Sequence, residues 1–219
     1  MIHNNNLIQG FKPTNMIRKI GLIGLLSLCA FYASAQKETR QEIDSVASQV
    51  LDQRFVGGQK AFYKHIGQTI RYPLEARENC RGGTLFLSVK IRPSGAIDSI
   101  QFKNDIELGM GIENEVIRCL LSTKGQWLKA NDYAVLNFSI AFWIEEAKAK
   151  DRPTATLLIV AYGFSSFCPT YQDIVKAYEK AKKKKSYREA IDLCEDLRRR
   201  NPYSEDFKKE YQELKSKLD

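Results

Sequence analysis

The sequence predicts an α+β domain, a small antiparallel three-stranded sheet covered by two helices, followed by an all-α helical hairpin. Apolar and polar residues alternate with the period of a half-buried strand in three segments, 84–91, 96–103 and 133–144. Apolar residues recur at helical spacing in two others, 59–70 and 112–121. The order helix, strand, strand, helix, strand is typical of one sheet layer packed on one helix layer.

The first predicted elements are a helical lead-in and a helix that a proline ends. Residues 36–54 are polar and compatible with a helical lead-in. In the next helix Phe62, Ile66 and Ile70 lie at i, i+4 and i+8, and Tyr72-Pro73 ends it, because the residue before a proline is pushed out of the helical region.

Turn residues separate the elements that follow. Pro93-Ser94-Gly95 joins the first two strands into an antiparallel hairpin. Gly125 closes the helix at 112–121, and Leu136, Phe138, Ile140 and Phe142 then share one face of the third strand. The apolar run from Thr156 to Tyr162, within the segment 148–169, fits either a further strand or a buried connection.

The last fifty residues, 170–219, favour three helices. Ile174, Tyr178 and Ala181 would line the first, Ala190, Cys194 and Leu197 the second, and Phe207, Tyr211, Leu214 and Leu218 the third. The run from Lys182 to Lys185 is the most basic stretch, and a solvated helix end is its simplest interpretation.

The N-terminus has the pattern of a secretory signal. A basic head at Met16 to Lys19 precedes an apolar run at 20–32, and Ala33-Ser34-Ala35 is a small-x-small cleavage site. We therefore expect residues 1–35 to be removed, with Met16 as an alternative start, and the mature protein to be exported to the periplasm of a Gram-negative cell. An uncleaved inner-membrane anchor is a weaker alternative, since the run is shorter than the roughly 20 residues that span a bilayer. Lipid attachment at Cys29 is a second weaker alternative, since the bulky Leu28 precedes the cysteine where a small residue is usual.

Four cysteines remain after that cleavage: Cys80, Cys119, Cys168 and Cys194. In an oxidising compartment they permit two disulfides in three connectivities. Cys119 and Cys194 fall within helical apolar patterns, which favours small buried hydrophobic residues instead.

The sequence predicts no enzyme, no catalytic residue, no cofactor and no metal site. With only two histidines, His3 and His65, a multi-histidine metal site is excluded. No GxSxG, HExxH, GxxxxGK or GxGxxG motif occurs. Positive charge exceeds negative by eight, but export argues against nucleic acid as the partner.

Ten residues between 55 and 147 form an ordered set of motif positions: Gly57, Gly58, Phe62, Tyr72, Pro73, Ala76, Gly83, Gly95, Trp127 and Phe142. In their order and spacing, the segment 55–147 resembles the C-terminal domain of the TonB energy transducers in the form common in Bacteroidetes. The segment 170–219 is similar to a tetratricopeptide repeat, with Tyr187, Ala190 and Pro202 at matching positions.

The TonB resemblance implies a protein-binding module. Domains of that family pair an extended N-terminal segment of an outer-membrane transporter with the last strand of the sheet. On this chain that edge would run from Tyr133 to Phe142. The residues it would present are Tyr133, Val135, Asn137, Ser139 and Ala141. The implied partners are TonB-dependent outer-membrane transporters or the TonB motor complex, and a homodimer through the same edge is an alternative.

The chain also departs from a full transducer. It has no Pro-rich spacer, and the apolar run at 20–32 contains no histidine. A second hypothesis is therefore a periplasmic assembly adaptor, whose helical tail recruits the partner while the sheet domain docks it.

Overall fold

The computed structural model describes residues 46–144, 153, 155–162 and 167–218. The predicted signal segment 1–35 lies outside them. The helices are α1 (46–54), α2 (Gly58–Thr69), α3 (Leu74–Glu78), α4 (Ile112–Leu121), α5 (Tyr171–Lys183), α6 (Tyr187–Arg200) and α7 (Glu205–Lys215). The strands are β1 (Gly83–Ile91), β2 (Ile97–Phe102), β3 (Ala134–Ile144) and β4 (Leu157–Ala161). No helix within the described residues is both long and apolar enough to cross a bilayer.

Within the described residues the sheet has four strands, so the prediction of three is wrong. Its order is β2-β1-β3-β4, with β1 antiparallel to both of its neighbours and β4 parallel to β3. The fourth strand is the apolar run that the sequence left undecided. It is short and continuously apolar, and such a run does not show whether it forms a strand or a buried connection.

One face of the sheet is covered by α1, α2 and α4. Leu85, Leu87 and Val89 of β1 point into this core together with alternate residues of β3. At its centre the Phe62 ring makes edge contacts with Phe55 and Phe138, with centroids 5.3 and 5.8 Å apart. The alternation seen in the sequence is therefore the alternation between this core and the opposite face.

The opposite face is covered at one end by the helical tail. The C-terminal end of α6 lies against the start of β1, where the Phe86 and Tyr203 rings meet edge to face, with centroids 4.8 Å apart. Gly83 permits this approach, because a Cβ there would lie 2.4 Å from the carbonyl oxygen of Arg199. Ion pairs add to the contact, among them Arg198 with Asp105 at 3.5 Å.

Helices α5, α6 and α7 have a core of their own. Ile174, Tyr178, Cys194 and Leu197 are buried in it. Leu218, predicted to line the last helix, is instead half exposed, because it lies beyond the end of α7 at Lys215. A capping box between Thr170 and Asp173 fixes the start of α5.

Cys80 and Cys168 form a disulfide that joins the end of α3 to the residues before α5, while Cys119 and Cys194 are free and buried. Burial raises the pKa of the Cys119 thiol to about 11 and also raises that of Cys194. The expectation that these two are small buried hydrophobic residues is confirmed. The disulfide packs with Ile144 and Ala161, the last residues of β3 and β4.

Candidate partner-binding edge

The outer edge of β3 is divided into two halves. Its second half, Ile140–Ile144, is paired with Leu157–Ala161 of β4. Beside the first half, 134–138, no described strand lies on the side away from β1. We call this first half the open edge. It is about five residues long, half the length expected from the sequence.

Backbone directions follow from the hydrogen bonds of Phe86 and Ser139, which lie opposite each other on β1 and β3. The Phe86 carbonyl accepts from the Lys103 amide of the β2 side at 2.9 Å, and the Ser139 amide donates to Thr156 Oγ1 at 3.1 Å. Ser139 therefore turns its N–H and C=O away from β1. The direction of the N–H and C=O groups alternates from one residue to the next along a strand. Val135 and Asn137, four and two residues before Ser139, therefore also direct their N–H and C=O groups away from β1, at the open edge.

Ser139 and Thr156 mark the boundary between the two halves. Besides the bond from the Ser139 amide, the Thr156 amide donates to Ser139 Oγ at 3.0 Å. The two hydroxyl oxygens are 3.3 Å apart. These contacts hold the residue just before β4 beside β3, so the N–H of Ser139 is not free for a partner strand.

The exposed side chains at the open edge lie on the face of the sheet away from α1, α2 and α4, whereas Leu136 and Phe138 point into the core. Tyr133 is 53% exposed and Val135 45% exposed, which is high for large apolar side chains in or beside a strand. Val135 lies opposite Lys90, whose ammonium is 4.4 Å from the centre of the Tyr133 ring. A partner strand paired with the open edge would contact the apolar side chains of Tyr133 and Val135, with Lys90 beside them.

A buried arginine, Arg54 at the end of α1, positions the segment that leads into the open edge. Its guanidinium donates to the carbonyl oxygens of Leu128 at 3.3 Å, Asp132 at 3.0 Å and Arg92 at 2.9 Å. The Leu128 amide returns a bond to the Arg54 carbonyl at 2.7 Å. Arg54 thus joins the β1–β2 turn to the residues just before β3.

The predicted partner-binding residues therefore separate into two groups. Tyr133, Val135 and Asn137 lie on or directly before the open edge. Ser139 and Ala141 do not present free backbone, because Thr156 bonds the first and Leu158 of β4 lies in register with the second. The expectation of an uncovered edge reaching Phe142 is wrong for this half of the strand.

Most motif residues build the core and the turns rather than a site. The Tyr72 ring packs edge to face on Phe142, with centroids 5.2 Å apart, and its hydroxyl donates to the Arg81 carbonyl at 2.6 Å. Trp127 Nε1 donates to Thr123 Oγ1 at 2.8 Å. Gly95 has a positive φ of 85°, and a Cβ there would lie 2.4 Å from the Trp127 carbonyl oxygen. Gly57 and Gly58 begin α2, Pro73 precedes α3 and Ala76 is buried.

His65 has a structural position. Its Nε2 lies 2.9 Å from Ser122 Oγ, and its Nδ1 lies 3.3 Å from Gln126 Nε2, so it joins α2 to the end of α4. Within the described residues no three His, Cys, Asp or Glu side chains are grouped as metal ligands would be.

Two residues that shape the edge were missed by sequence reasoning. Arg54 ends a polar helix, where an arginine ordinarily faces solvent. Thr156 begins a run whose structure was undecided. A residue pattern alone gives no signal for either, because both act through contacts with residues distant in the chain.

Comparison with known proteins gives one similar solved structure, the NMR structure of the TonB C-terminal domain of Helicobacter pylori. It is 18% identical, with a TM-score of 0.31, and the match covers 37% of this chain and 88% of that one. No protein-family model matches the chain. No curated protein sequence matches it either. This similarity is weak.

Proposed function

We propose that this protein is a non-enzymatic binding module of the cell envelope that pairs an extended segment of a partner protein with the open edge. The observation that carries the proposal is the outward direction of the Val135 and Asn137 backbone groups, beside which no described strand lies. Such groups bind an added strand through main-chain hydrogen bonds.

The open edge is suited to a short segment. Five residues of strand cover about 17 Å, enough for two outward residues to exchange hydrogen bonds with a partner. A longer segment would have to displace β4 from Ile140–Ile144. The half-exposed Tyr133 and Val135 side chains favour a partner with apolar residues on the same face.

The partner class follows from the resemblance of 55–147 to TonB C-terminal domains. We propose that the segment belongs to an outer-membrane transporter. The adaptor hypothesis, in which the helical tail recruits the partner, remains the alternative. Deleting 170–219 would not separate the two cleanly, because α6 and Tyr203 cover part of the sheet. Point substitutions on the open edge are the better test.

Replacing Asn137 by proline tests the proposal directly. Proline removes an outward N–H that is not hydrogen-bonded to β1. We expect the fold to survive, because edge strands of sheets tolerate proline at such positions. We expect co-purification of outer-membrane transporters from solubilised envelopes to fall about tenfold or more, since the added strand loses a main-chain hydrogen bond and its close approach.

The matched control is Asn137→Thr, which changes the same side chain but keeps the backbone N–H. It should retain binding within about twofold. Thermal unfolding of both variants checks that each is folded. Equal binding by a folded Asn137→Pro protein would contradict pairing at this edge.

A further inference from the structure

The end of the helical tail far from the sheet carries a concentration of positive charge. We define the basic tip as residues 180–190 and 212–218, the last turn of α5, the first turn of α6, the last turn of α7 and the turns beside them. The Lys217 ammonium, just after the end of α7, lies 5.7 Å from the centre of the Tyr187 ring at the start of α6. The end of α7 and the start of α6 are therefore close together. These two ranges contain eight basic and two acidic residues.

Part of this charge has no acidic partner in the described part of the chain. Lys182 is paired with Glu210 at 2.9 Å and with Glu179 at 3.5 Å. Among the described residues, none forms a salt bridge with Lys183, Lys184 or Lys185, and all three are exposed. The C-termini of α5 and α7 each present about half a negative charge, and the N-terminus of α6 about half a positive one. Helix dipoles therefore offset only a small part of the excess.

The chemistry of the tip favours a diffuse anionic surface over a defined acceptor. Seven of its eight basic residues are lysines, which act as point charges, whereas bidentate recognition of a carboxylate or phosphate favours arginine. The only aromatic residue within these ranges is Tyr187, which is partly buried, so no set of exposed rings offers the stacking that single-stranded nucleic acids use. Leu218, 48% exposed, adds an apolar side chain beside Lys217.

We propose that the basic tip binds the surface of a membrane rich in anionic phospholipid. Clusters of four to eight lysines are attracted to such surfaces by about 1 kcal/mol per residue. The tip is separated from the sheet by α6, whose fourteen residues span about 21 Å. A membrane contact at the tip would thus leave the open edge free for its partner.

Vesicle co-sedimentation of the mature full chain tests this proposal. The probes are vesicles of neutral phosphatidylcholine alone, and vesicles in which about a third of that lipid is replaced by phosphatidylglycerol. We expect binding to the anionic vesicles alone, weakening as salt rises. The tip variant combines Lys183→Gln, Lys184→Gln, Lys185→Gln and Lys217→Gln. It should bind the anionic vesicles at least about tenfold more weakly.

The matched control removes the same number of charges from the sheet domain. It combines Lys60→Gln, Lys64→Gln, Lys124→Gln and Lys129→Gln, all exposed positions. Its affinity for the anionic vesicles should stay within about threefold of that of the wild type. An equal loss in both variants would overturn the proposal, because net charge rather than the tip would then decide binding. Binding to neutral vesicles, or to neither kind, would also overturn it.

Two further probes separate the other anionic partners. A polyglutamate peptide and a single-stranded oligonucleotide are titrated at the same ionic strength. Tip-dependent binding of either one, with no binding to anionic vesicles, would assign the tip to a protein or to a nucleic acid and contradict the membrane proposal.

Discussion

Replacing Cys80 and Cys168 together by serine is expected to lower the free energy of unfolding by about 4 kcal/mol. The bond closes a loop between residues 88 positions apart, and the loss of unfolded-chain entropy on closing a loop of that length accounts for a value of this size. In a chain of this length the midpoint of thermal unfolding should fall by roughly 10 °C. Denaturant unfolding of the oxidised wild type and the double variant measures the change.

Reduction supplies the control for this prediction. A thiol reductant should lower the stability of the wild type to that of the double variant, and should leave the variant itself unchanged. The loss should be largest where the disulfide packs, so the amides of Ile144 and Ala161 should exchange faster than that of Leu87 in the middle of β1. The same midpoint for oxidised and reduced wild type would show that the bond does not hold this region.

Arg54→Met is expected to cost about 3 kcal/mol of stability and to weaken partner binding as well. The change keeps an apolar stem but removes three charged hydrogen bonds to the carbonyls of Leu128, Asp132 and Arg92. Because two of these acceptors lie just before β3, the segment leading to the open edge should lose its fixed position. Unfolding in denaturant gives the first effect, and co-purification of the transporter gives the second.

The control for Arg54 is Arg188→Met, a substitution of the same kind at an exposed position on α6. It should change stability by less than about 0.5 kcal/mol. If Arg54→Met were as mild as Arg188→Met, the three hydrogen bonds would not carry the stability assigned to them.

The sequence predicts the parts of this fold that have one buried face. Alternation in β1 and β3, and helical spacing in α2 and α4, follow from burial against a single core, so these elements lie where they were expected. α3 was not predicted, because five residues are too few to show a period. β4 stayed undecided because its continuous apolar run has no alternation and because its partner lies across a parallel crossover.

The candidate edge was predicted only in part for the same reason. Val135 and Asn137 were identified as outward residues, because their side chains alternate with the buried ones of β3. Whether their backbone edge is open depends on where β4 pairs, which no pattern within β3 can show. The disulfide is a similar case, since four cysteines allow several pairings, and only the fold, which brings Cys80 and Cys168 together beside Ile144 and Ala161, selects this one.

The central claim is that a partner strand binds at the open edge, and in-cell photo-crosslinking tests it most directly. A photoreactive residue is placed at Asn137 and, as the control, at Gln101. Asn137 on β3 and Gln101 on β2 are both paired with Ser88 of β1, one on each side of it. Their side chains therefore share a face of the sheet. We predict that Asn137 captures outer-membrane transporters, identified by mass spectrometry, and that Gln101 does not. Equal capture from both positions, or capture from Asn137 of only a second copy of this chain, would contradict the account.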